Sequence, residues 1–231
     1  IGRLLYGEAA GLLAAGFGAM TAFMIQQAHF FTVDSMACFF VTLVAYFSIR
    51  AAAASLRVGV DGAGDVGARS ESKARLRESG LRVRWLAFAL AGVSVGLAAA
   101  CKVSAATAAL LVVLAAAQVA IGRRREQAQG EGEATRRSLG SAQLLMPLLA
   151  LTLAGVLSLV AFRVGQPYAF EGPGFVGVKP SPDWLSRLRQ IRLEQAGQVD
   201  LPSGRQWAHR VPILFPWLNM LGWAMGLPMG L

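Results

Sequence analysis

Few side chains in this sequence are equipped for chemistry, and most of them stand between long apolar runs. Asp34 closes the stretch QQAHFFTVD, which also holds Gln26, Gln27 and His29. Its carboxylate has two readings. One is a group at the N-cap or N1 position of a helix, satisfying free amides and the helix dipole, a role for which Ser35 competes. The other is a carboxylate facing a polar cavity, as a base or to place an acceptor. Lys102 stands alone in ACKVSA. It is either the lysine of a tight turn in water or an ammonium held against an anionic partner, such as the phosphate of a lipid-linked substrate. The third group opens at Arg163 with RVGQPYAF, whose Gln166 and Tyr168 are candidate substrate-binding groups together with His29 and Lys102. His29 also reads as an interfacial polar residue. One His and one Asp are too few ligands for a metal, and the two cysteines, Cys38 and Cys101, have neither disulfide-framework nor metal-site spacing. No metal and no cofactor are expected.

The elements that must position these groups follow from composition. Of the 231 residues, 55% are hydrophobic and only 15% are charged, and the mean hydropathy is +0.51. Soluble domains carry about 25% charged residues, so the balance excludes an ordinary soluble enzyme and a disordered chain. The net charge of +9 is gathered in clusters between uncharged runs, which fits basic membrane loops and not a nucleic-acid face. A membrane-crossing helix needs about 20 apolar residues. Six runs meet that length, at about 9–28, 35–56, 85–101, 103–122, 139–162 and 211–231. The fold class expected is therefore all-α, a polytopic bundle of about six transmembrane helices forming a single membrane domain over 1–231. The chain opens without a secretory signal pattern, and its last run stops without a polar exit, so it is expected to be a piece of a longer protein.

Basic residues orient the spans. Arg50–Arg84 holds eight and Arg123–Arg137 five, whereas the Gln26–Asp34 turn holds none and the Lys102 turn one. This excess puts the linkers 57–84 and 123–138 in the cytoplasm. It puts Asp34, Lys102 and the loop 163–210 on the outer side. That loop carries seven basic residues, but the rule is weak for long loops. Both linkers read as solvated connectors that also touch anionic lipid heads. Gly7, Gly11, Ala14, Ala15 and Gly18 offer a helix-packing face on the first span. In the outer loop, Ser181-Pro182-Asp183 reads as N-cap, N1 and N2 of a helix. The apolar stripe Trp184, Leu185, Leu188 and Ile191 follows, with Arg187, Arg189, Arg192 and Glu194 around it. Such a helix lies in a membrane interface or holds phosphate through arginine forks.

The segments AHFFTVDSMACFFVTLVAYFSIR and GLAAACKVSAATAALLVV resemble membrane glycosyltransferases related to the dolichyl-phosphate-mannose–protein mannosyltransferases. This group comprises glycosyltransferase family 39 and its bacterial ArnT-like relatives, and the QPYAF-to-GLPMGL region is similar to the tail of the same bacterial proteins. The resemblance touches most of the chain except the cytoplasmic linkers. It implies a GT-C fold with amphipathic helices beside the active site. The activity it implies is transfer of a sugar from a polyprenyl-phosphate carrier to a protein, lipid or glycan acceptor at the outer face of the cell membrane. Under it, Asp34 matches the family's second acidic position, which lines the catalytic cavity. Lys102 matches the lysine near the carrier phosphate. The family's principal carboxylate lies in a first outer loop that precedes the region beginning here at Ile1, and no residue of this chain matches it.

Two other classes compete. A transporter or permease would favour polar residues at mid-span and broken helices near the midplane, whereas the charges here fall at span ends. A non-catalytic membrane scaffold is the third class, kept open by the missing first loop.

Overall fold

The computed structural model describes residues 1–21, 24–26, 33–60, 70–130, 140–172, 177–196, 198–199, 210–211 and 213–224. The described chain is mostly helical, with two short strands. In order come α1 (Gly2–Tyr6), α2 (Glu8–Met20), α3 (Val33–Val60) and α4 (Ser70–Cys101). A 3-10 turn (Val103–Ala108) leads into α5 (Ala109–Gly130), followed by α6 (Gly140–Gly165). A second 3-10 turn (Pro167–Ala169), strands β1 (Phe170–Glu171) and β2 (Lys179–Pro180), α7 (Pro182–Gln195) and α8 (Leu214–Asn219) complete it. Contacts divide the chain into two compact units. One comprises Ile1 and Met36–Gly165, the other Gly2–Ser35 and Gln166–Leu231.

Four stretches are long and apolar enough to cross a membrane: Val33–Ala53, Gly80–Cys101, Val103–Gly122 and Leu145–Gly165. They correspond to the four central runs of the sequence and mark the chain as a membrane protein. The first run differs from expectation. Its helix α2 has 13 residues and gives way at Thr21 to extended backbone, a length of about 20 Å against a hydrocarbon core of about 30 Å. The last run is described to Ala224, as the six residues of α8 and a five-residue π-helical stretch. Helices also reach further into the linkers than their composition suggested. α4 starts at Ser70 and α5 continues to Gly130, because Glu, Lys, Arg, Gln and Leu are strong helix formers even where they cannot be buried.

The first unit is assembled on small residues. Its core cluster joins Val44 and Ala51 of α3 to Ala87, Phe88, Ala91 and Val95 of α4. On α5 it takes in Ala108 just ahead of the helix, Val112, Ala115, Ala116 and Val119, and on α6 Ala150 and Ala154. Phe88 is its one large, fully buried ring among the described residues. α4 and α6 meet backbone to backbone. A Cβ placed on Gly92 would strike the Ala154 carbonyl oxygen, and one on Gly96 the Ser158 carbonyl oxygen. One on Gly165 would lie 2.8 Å from the Ala100 Cβ. Residue numbers rise together along both helices, so α4 and α6 run parallel. In lipid there is little hydrophobic drive between helices, and such close approach is what gives dispersion its strength. Some hydroxyls inside the spans return to their own helix. Ser94 donates to the Leu90 carbonyl at 2.7 Å and Thr152 to the Leu148 carbonyl at 3.0 Å, which satisfies them without a partner from lipid, whereas the buried Ser48 Oγ of α3 makes no hydrogen bond.

In the second unit α1 folds against α2 at Gly7, whose φ of 94° suits a residue without a Cβ. An exposed Arg3–Glu8 ion pair at 2.6 Å spans that bend. A β1–β2 pair, with Phe170 opposite Pro180 and Glu171 opposite Lys179, closes the loop that leads into α7.

Candidate functional site

Lys102 is the best-defined of the candidate residues. α4 ends at Cys101 and the 3-10 turn starts at Val103, so Lys102 alone carries the reversal, with extended backbone at φ −150° and ψ 114°. Its amide donates to the Ala98 carbonyl at 2.9 Å, and its own carbonyl accepts from Ala105 at 2.8 Å. The side chain is exposed. An apolar chain can reverse at one residue only where that residue leaves the hydrocarbon, and an ammonium on a long stem supplies the reason. The boundary between the Gly80–Cys101 and Val103–Gly122 stretches is therefore this single lysine.

The parallel pairing of α4 and α6 adds a residue that the sequence alone left within a loop. Because Ala100 packs on Gly165, the Lys102 turn and the last turn of α6, which holds Arg163, lie at the same end of the first unit. Arg163 is half-buried. Two cations thus stand at the C-terminal ends of two helices, where they complement the helix dipoles. No linear motif links positions 102 and 163. The signal that could have linked them is the four-residue spacing Gly92, Gly96, Ala100 beside Ala154, Ser158, Ala161 and Gly165.

The other candidates belong to the second unit. Asp34 is the second residue of α3 and the acidic group of its first turn, and it is half-buried. Ser35, the competing cap, is half-buried, and its Oγ makes no hydrogen bond. A carboxylate at this position favours the helix N-terminus electrostatically whatever else it does. Gln166 directly follows α6 and precedes the Pro167–Ala169 turn; its carbonyl accepts from the Ala169 amide at 3.1 Å. Tyr168, inside that turn, is 88% exposed. His29 and Gln27 lie outside the described residues, while Gln26 is helical and exposed. The structure therefore places Lys102 and Arg163 together in one unit, and Asp34, Gln166 and Tyr168 in the other.

Among the described residues no group of three or more His, Cys, Asp or Glu side chains is placed to hold a metal ion. Cys38 and Cys101 are free thiols, both half-buried. No protein-family model, no curated protein and no solved structure matches the chain.

Proposed function

We propose that the protein is a membrane glycosyltransferase, moving a sugar from a polyprenyl-phosphate-linked donor to an acceptor at the outer face of the cell membrane, on a GT-C-like bundle. The observation that carries this reading is the cationic end of the α4–α6 pair. Lys102 is exposed at a one-residue turn between two apolar spans, with Arg163 at the same end. A lipid-linked phosphate travels at that depth, at the boundary between hydrocarbon and water. An ammonium and a guanidinium there would stabilise the charge that develops on the phosphate as it leaves the sugar C1, a term that dominates many transfer reactions. The acceptor hydroxyl attacks C1, the C1–O bond to phosphate breaks, and a carboxylate takes the hydroxyl proton. By the resemblance, Asp34 would place the acceptor or support that carboxylate, and Gln166, Tyr168 and His29 are the candidate substrate-binding groups.

The test is transfer of labelled sugar from added polyprenyl-phosphate sugar to membrane acceptors, in membranes bearing the protein. Lys102→Ala lowers the turnover by about 10²–10³, the range for removing one preorganised charge-stabilising group. Asp34→Asn lowers it without loss of the folded protein. Full activity in both variants overturns the assigned roles. Directional flux of a solute across sealed vesicles with no sugar transfer would make the protein a transporter instead.

A further inference from the structure

Helix α7 carries two stripes. The one its sequence advertises, Trp184, Leu185, Leu188 and Ile191, is partly used up within the fold: Trp184 and Leu188 are half-buried, Leu185 is exposed, and the helix packs against the Pro167–Ala169 turn. The other stripe consists of Leu185, Arg189, Arg192 and Leu193. These stand at i, i+4, i+7 and i+8, which is one face of an α-helix. All four are exposed, Leu185 and Leu193 to 45% each. Among the described residues the Arg189 and Arg192 side chains take no hydrogen bond or ion pair. The helix's acidic residues, Asp183 and Glu194, fall on the opposite side by the 3.6-residue period, and Glu194 accepts from Gln190 at 3.0 Å.

We propose that this face docks the loop onto the anionic headgroup surface of the protein's own bilayer. Two leucines flanking two unpaired guanidiniums suit that surface. The leucines enter the acyl boundary while each arginine fork takes lipid phosphate oxygens. In sequence, only about 16 residues separate the end of the apolar α6 from the start of α7. Docking also gives Arg189 and Arg192, two of the seven basic residues of the 163–210 loop, a task that orientation of the spans does not. The proposal rests on the membrane character of the chain and is independent of sugar transfer.

The experiment uses the whole chain with Cys38 and Cys101 changed to Ala, reconstituted in phosphatidylcholine vesicles with or without phosphatidylglycerol. A nitroxide is attached at Leu193→Cys or, on the far side, at Gln190→Cys, and relaxation by oxygen is compared with relaxation by a water-soluble nickel chelate. With phosphatidylglycerol present, the label at 193 is relaxed mainly by oxygen and the label at 190 by the nickel chelate. At about a factor of five for each basic residue near an anionic surface, Arg189→Gln with Arg192→Gln lowers the docked-to-free ratio roughly 25-fold. Omitting phosphatidylglycerol acts in the same direction. Three results would overturn the proposal: nickel relaxation at 193 that is the same in both vesicle types, shielding of 193 from both reagents (which marks a protein partner), or docking that ignores both the lipid charge and the arginines.

Discussion

The α4–α6 pair and the Pro167–Gln195 segment are held together by different physics. In the pair, Gly92 and Gly96 lie against the backbone of α6, and the buried face is largely alanine. Nothing there is a strong interaction by itself; the stability is the sum of many close contacts that exist only if both backbones approach. In the segment the order is local. Two strand residues pair with two others, the Ser181 amide donates to the Ala169 carbonyl at 2.9 Å, and Pro182 at the first helical position starts α7 with its φ already set. In the first region, one carbon added at Gly92 or Gly96 meets the α6 backbone and forces a shift. The second can lose a turn without disturbing the spans.

This contrast can be broken in three places. The largest effect is expected from Gly96→Leu, because its Cβ alone would meet the Ser158 carbonyl oxygen and come within 2.8 Å of the Ala161 Cβ. The helices cannot part without giving up the whole interface, so the purified variant in detergent loses most of its monodisperse, cooperatively melting fraction. A variant that melts with the wild type would mean that α4 and α6 do not meet through their backbones.

A smaller and confined effect is expected at Gly172, whose φ of 132° a side chain rarely adopts and whose Cβ would lie 2.7 Å from the Gly177 Cα. Gly172→Val should cost about 1–3 kcal/mol of local strain. It should open the β1–β2 loop to limited proteolysis while the melting of the span bundle stays put. A matching drop in bundle melting would show that the two regions fold as one.

The smallest effect belongs to Gly16, beside whose Cβ position no described atom lies within 4 Å. Gly16→Leu should change the melting of the protein by no more than about 0.5 kcal/mol. A large loss there would restore the first apolar helix as a packing face equal to α4.

Local physics made much of this chain legible in its sequence. Four apolar runs between charged stretches became four spanning helices because length and hydropathy decide that without reference to any partner. The start of α7 at Ser181-Pro182-Asp183 was legible for the same reason, since capping and proline act within one turn. Lys102 declared itself as a lone charge in an apolar stretch. What stayed hidden was pairwise. Small residues recur on the first apolar helix as well as on α4. The structure packs Gly11 of α2 tightly against the Arg3 backbone of α1, and it adds tight packing at Gly92 and Gly96 of α4. Trp184 and Leu188 had looked like part of a free apolar face, yet they are half-buried, which leaves Leu185, Arg189, Arg192 and Leu193 outward.

By itself, then, the sequence determined which stretches are helical and apolar and where single charges interrupt them, because burial in lipid and helix capping are settled residue by residue. Only the tertiary structure decided that α4 and α6 lie parallel, so that Lys102 and Arg163 share an end, and which face of α7 remains open. Those outcomes depend on two backbones finding complementary surfaces, and no single chain segment holds that information.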